Sequence, residues 1–155
     1  MSFLVHINYQ MPRRGLPAAV RLRAWVEAAL RGARRRRGEV SLLLVEADQG
    51  RQMNLQYRQR DYPTNVLSFP AELPPGVESD LLGDLVICAP VVADEASAQG
   101  KTLADHYAHL CVHGSLHLLG YDHQNPAEAE RMEALETRIL ARLGIADPYQ
   151  DAAES

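Results

Sequence analysis

Three histidines, His113, His117 and His123, lie close together in the segment HGSLHLLGYDH, residues 113–123. His113 and His117 are four residues apart. On a helix that spacing puts both imidazoles on one face, one turn apart, where they can share an ion. Gly120 then lets the backbone leave the helix through a left-handed turn, and His123 can fold back to the same point. Three neutral imidazoles leave the fourth position of a tetrahedral zinc ion open. One Zn2+ is therefore the predicted cofactor, although nickel, cobalt and copper also accept imidazole. An open position of this kind activates water near neutral pH and polarises the attacked group, so the chemistry is hydrolysis, of a peptide carbonyl or of a phosphodiester. A helical HxxxH arises often by chance. The third histidine, beyond a glycine-broken turn, makes the pattern specific.

Other residues compete for roles around this point. His106 and His109 extend nearly the same stripe, and on spacing alone either replaces His123; His109 also suits support of a ligand or contact with substrate. Asp122 can orient a ligand or brace a turn. Asp84, inside an apolar run, is expected to need a partner and to support the site.

The two substrate classes make different demands. The spacing H-x3-H-x5-H is that of the long zinc-protease motif, but that motif has glutamate, its general base, directly after the first histidine. Gly114 stands there and can neither take nor give a proton. A phosphodiester needs positive charge on the phosphoryl oxygens as much as it needs a base. Arg58 and Arg60, in YRQRDYPTNVLSFP (residues 57–70), can supply it, and Arg58 ends a predicted helix at the rim of a cleft. RNA brings its own 2′-hydroxyl as a second possible nucleophile. Arg31 and the run Arg34–Arg37 can hold an RNA backbone or serve as solubilising charge. Ser68 lacks the base and oxyanion hole a nucleophile needs. Thr64 and Asn65 read as turn or cap residues, and Trp25 as core.

These side chains need a scaffold. Phe3–Tyr9 reads as a strand, and Pro17 opens a helix whose stripe is Val20, Ala24, Ala28 and Arg31, widened by Leu22, Val26 and Leu30. Gly38 ends that region. Val40–Val45, Val66–Phe69 and Leu82–Cys88 read as further strands, with a helix from Asp48 to about Tyr57 and a proline-rich loop over residues 70–80 as a candidate flap. Pro90 starts a helix ending near Gly100. Thr102 caps the histidine helix, which runs to about Leu119. Asn125 caps the last helix, with Pro126 at its first position and Met132, Leu135, Ile139 and Leu143 as its buried stripe. The fold class is α+β: one domain, residues 1–150, with a small mixed four-stranded sheet packed against helices and a central helix carrying the histidine pair. The last dozen residues are expected to be loose.

Composition fits this. The 155 residues are 46% hydrophobic and 23% charged, a globular rather than a disordered profile. The net charge of −4 excludes a uniformly basic surface but not a local one. Cys88 and Cys111, outside any CxxC pair, read as buried free thiols in a reducing compartment, with metal binding as the alternative. The first residues lack a signal-peptide pattern and no apolar run reaches bilayer length, so a soluble cytoplasmic protein with no membrane partner is expected.

With these residues in place, the chain resembles the YbeY family of bacterial ribosomal-RNA maturation endoribonucleases. The resemblance is carried by HGSLHLLGYDH at 113–123, by YR, D and PTNVLSFP within 57–70, by LGDLVIC at 82–88 and by LARLGI at 140–145. It implies three metal-binding histidines at His113, His117 and His123 and a functionally important arginine at Arg58. It further implies single-strand-specific RNA cleavage, maturation of the small-subunit ribosomal RNA 3′ end, and ribosome quality control. The partners it implies are the small ribosomal subunit, one of its proteins, and a ribosome-assembly GTPase. Two departures stand near the cleft: Gln59 where many members carry glycine, and Tyr62 in place of a more usual lysine. Two competing functions are a zinc metalloprotease and a non-enzymatic assembly factor whose zinc, closed by four ligands, is structural.

Overall fold

In the computed structural model, residues 2–149 are described. The chain runs β1 (Ser2–Tyr9), α1 (Ala19–Gly32), β2 (Arg37–Val45), α2 (Ala47–Arg58), β3 (Val66–Pro70), β4 (Leu81–Cys88), α3 (Ala89–Gln99), α4 (Leu103–Leu118) and α5 (Pro126–Arg142). The four strands form one mixed sheet in the order β1-β2-β4-β3. β1 and β2 pair in parallel, as do β2 and β4, whereas β3 lies antiparallel to β4. This is the α+β architecture the sequence predicts.

Alternation along the strands divides the side chains between two faces. Val5, Val40, Leu42, Leu44, Leu85 and Ile87 face a large core built with α1, α4 and α5. Val45, Leu67, Val86 and Cys88 face a smaller cluster against Ala47 and Met53 of α2. Helix α4 lies in the middle of the larger core, and its Tyr107, Ala108, Cys111, Val112 and Leu116 are fully buried. It is anchored locally, since the Asp105 amide donates to the Thr102 hydroxyl oxygen at 3.1 Å, the predicted cap. At its other end Gly120 takes a φ of 94°. The predicted cap of α5 is also present, with the Glu128 amide donating to Asn125 Oδ1 at 2.9 Å.

Four expectations are corrected. Helix α1 begins at Ala19, beyond Pro17, whose carbonyl instead accepts a hydrogen bond from the Tyr9 hydroxyl. Its buried face is Leu22, Trp25, Val26, Ala29 and Leu30, while Val20 is 67% exposed. Gly38 lies inside β2 rather than ending the preceding region, and it is glycine for close packing, since a Cβ there would come within 2.7 Å of the Leu82 side chain. Asp84 is exposed and needs no partner, since it stands on the sheet face that α2 only partly covers. The expectation of a loose terminus falls partly on residues 150–155, outside the described residues.

Candidate metal centre

Helix α4 holds His113 and His117 on its open side, and the turn after Gly120 brings back His123. One ligand-capable atom from each of the three lies within 4.8 Å of the other two. His113 Nε2 and His117 Nε2 are 3.1 Å apart. Two nitrogens each roughly 2.0–2.1 Å from one tetrahedral zinc ion would be about 3.3 Å apart, so the donor set fits such an ion. Burial, and then the neighbouring His113 and His123, lower the His117 pKa, which favours the neutral form a ligand must have. Among the described residues, no fourth His, Cys or carboxylate joins this group.

The tautomer of His113 is set from behind. Its Nδ1 lies 2.6 Å from Glu136 Oε1. Glu136, on α5, is buried. Burial would raise its carboxyl, but hydrogen bonds from His109, His113 and the Tyr149 hydroxyl outweigh that and bring it down to about 2. An ionised carboxylate only accepts, so Nδ1 carries the hydrogen and Nε2 presents its lone pair to the cleft. The second carboxylate oxygen takes His109 Nε2 at 3.2 Å and the Tyr149 hydroxyl. His109, His113 and Glu136 form a second group with metal-binding spacing. Both carboxylate oxygens of Glu136 are already engaged, one with His113 Nδ1 and the other with His109 Nε2, so this group is placed to frame the first. Sequence reasoning missed Glu136. The available signal was a carboxylate at a stripe position of α5, four residues after Met132 and three before Ile139.

The histidines open onto a cavity of about 380 Å³ whose walls include Arg58, Thr64, Asn65, Ser68 and Asp122. Arg58 is the last residue of α2, so the helix end and the left-handed Gln59 behind it (φ 56°) deliver the guanidinium to the cleft. Arg60 does not line this cavity and donates to the Tyr62 hydroxyl at 3.1 Å. Asp122 braces the turn, its Oδ1 accepting from the His123 amide at 2.7 Å. Ser68 donates its hydroxyl to the Gly114 carbonyl at 3.1 Å. Asn65 donates to Glu95, which also meets His106 Nε2 at 2.9 Å. His106 is buried on that carboxylate and lies apart from the centre. Cys88 and Cys111 are buried free thiols that belong to neither group.

Gly114 has a positive reason to be glycine. A Cβ there would come within 2.9 Å of Leu85 Cδ2 and 3.2 Å of Val66 Cγ2. The position next to His113 therefore faces the sheet at close approach, where no protease glutamate fits.

Comparison with known proteins bears on this geometry. The family described as Endoribonuclease YbeY matches residues 13–144. A relative named Endoribonuclease YbeY, from Stenotrophomonas maltophilia strain R551-3, is 61% identical over 149 residues, covering 94% of this chain and 92% of that one. One of the same name from Cellvibrio japonicus is 54% identical over 152 residues, covering 98% and 86%. The solution structure of TM1509 from Thermotoga maritima shares the fold, with a TM-score of 0.59 at 23% identity over 96% of this chain and all of that one. No helix among the described residues is long and apolar enough to cross a membrane. The match over most of its length places the chain in the YbeY family, and it is an endoribonuclease acting on RNA.

Proposed function

We propose that the chain holds one zinc ion through His113, His117 and His123 and uses it, with Arg58, to cut single-stranded RNA. The observation that carries this reading is the convergence of the three rings in the same cavity as Arg58. When bound there, the ion supplies Lewis-acid polarisation and a nucleophile at neutral pH. The chain's own residues do the rest. Glu136 holds the His113 tautomer, and Arg58 answers the negative charge that builds on the phosphoryl oxygens. That charge develops whether water or the RNA 2′-hydroxyl attacks, so Arg58 acts in either route.

The physiological assignment follows the family resemblance: late maturation of the small-subunit ribosomal RNA 3′ end and ribosome quality control, in the cytoplasm. The corresponding partners are precursor small-subunit RNA, the small ribosomal subunit with one of its proteins, and a ribosome-assembly GTPase. Peptide hydrolysis is disfavoured by the space around Gly114. A purely structural zinc is disfavoured by the three-residue donor set open to a cavity.

The test is Arg58→Ala with metal content measured alongside cleavage of a single-stranded RNA. Metal content is expected to stay at the parental level while cleavage falls by a factor of roughly 10²–10³, the usual scale for losing one stabiliser of developing charge. Equal cleavage at matched metal content removes Arg58 from the mechanism.

A further inference from the structure

Two further hollows lie beside the histidine cleft. Asp122 is shared with a second hollow of about 460 Å³ along the 119–122 turn and the start of α5. That hollow shares Tyr121 and Arg131 with a third, of about 270 Å³, between the end of α1 and the outer side of α5. Three arginines line the third hollow: Arg34, Arg131 and Arg138. Asp122 and Glu128 give the middle hollow mixed charge, but no carboxylate lines the third. The arginine ion pairs among the described residues are Arg31 with Glu27 and Arg51 with Asp61, and none involves these three. The floor exists because Gly32 lets α1 touch α5: a Cβ there would come within 2.4 Å of Ile139 Cγ1. Arg34 holds a left-handed φ of 63°, which glycine adopts with less strain, so the chain keeps an arginine where the backbone favours glycine.

We infer that this groove is the track for the RNA strand on one side of the cut. Its backbone leaves the histidine cleft past Asp122, crosses beside Tyr121 and seats its phosphates on Arg131, Arg138 and Arg34. Guanidinium groups suit phosphate oxygens, and an aromatic ring in the shared wall offers a base a surface to stack on. The inference rests on the RNA-cleaving reading of the histidine site and adds where the substrate extends. It also explains how a chain of net charge −4 grips a polyanion: the positive charge is collected along one path.

The test compares labelled 2′-O-methyl oligoribonucleotides of about four and about twelve nucleotides, lengths that fill the cleft alone or the cleft and groove together. Binding is followed by fluorescence anisotropy at several salt concentrations. In R131A/R138A the longer strand is expected to bind at least about tenfold more weakly. The slope of its log affinity against log salt is expected to flatten by about 1.4, two phosphates at about 0.7 each. The shorter strand is expected to bind as it does to the parent, and R131K/R138K to keep most of the slope. Arg34→Gly suits the left-handed backbone and so cannot act through misfolding; it is expected to weaken the longer strand alone by a factor of a few. Unchanged binding of the longer strand, or equal weakening of both lengths, overturns the groove while leaving the histidine site intact. A parent protein that neither binds nor cuts RNA overturns the functional reading and this inference with it.

Discussion

Helix α4 carries four histidines, and they divide into two kinds. His106 and His109 end on carboxylates: Glu95 for the first, Glu136 for the second. His113 and His117 end on each other and on His123, facing a cavity. Residue type is the same in both pairs, and their spacings, three residues and four, each put two rings on one side of the helix. What differs is whether a carboxylate from another helix reaches the outward ring nitrogen. The closed pair braces helices α3 and α5 against α4, and the open pair keeps its Nε2 atoms, which no carboxylate reaches, on the cavity side, even though Glu136 holds His113 from behind through Nδ1. The candidate metal site on this helix is thus marked as much by the Nε2 atoms that no carboxylate reaches as by the histidines themselves.

Substitutions that move a histidine from one kind to the other break this comparison. The largest effect is expected for His117→Ala. Metal bound after loading, measured by elemental analysis, should fall from one equivalent towards none, and cleavage should fall by roughly a thousandfold or more, the loss of several kcal/mol of charge stabilisation. If the variant keeps a full equivalent, the open group is not the ion's seat. Glu136→Gln comes next, because it leaves the ligands in place and loosens the one it orients. Zinc affinity from chelator competition should weaken about 10–100-fold, the usual scale for an outer partner of a ligand.

His106→Gln sharpens the comparison from the closed side, with metal content expected to stay at the parental level. Burial lowers the His106 pKa below its ordinary 6.5, ahead of the opposing pull of Glu95. A depressed folded value means stability that is full above about pH 6.5 and declines as the pH falls below it, because the unfolded chain takes up the proton first. Urea unfolding at neutral and mildly acidic pH should therefore show a smaller acid loss in the variant than in the parent. The smallest effect is expected outside both groups, at Gln59. Its left-handed backbone favours glycine, and Gln59→Gly should raise stability by at most about 1 kcal/mol in thermal unfolding.

Much of this was legible in the sequence where the determining physics is local. The caps at Thr102 and Asn125, the turn at Gly120 and the histidine spacing each depend on neighbours within a few residues, and each appears as read. Where tertiary contact decides, the reading failed. Helix α1 carries apolar residues on more than one side, and alanines do not discriminate between faces. Contact with β1 and α4 selected Trp25 and Ala29 and left Val20 in solvent. Glu136 was missed for a related reason: a glutamate among leucines looks like a boundary of the stripe until the helix opposite supplies donors. The path from Asp122 to Arg138 joins residues from three segments, and no spacing along the chain announces it.

The link between His113 and Glu136 would tie an ion bound at the open group to helix α5. The proposed ligand His113, on α4, takes its orientation from a carboxylate 23 residues later, on α5. By thermodynamic linkage, whatever loosens that helix weakens the grip on the ion, and saturating ion in turn holds the helix down, by about 2.7 kcal/mol at a hundred times the dissociation constant. Protease resistance of α5 should therefore rise and fall with zinc supply, making the C-terminal region a reporter of metal status.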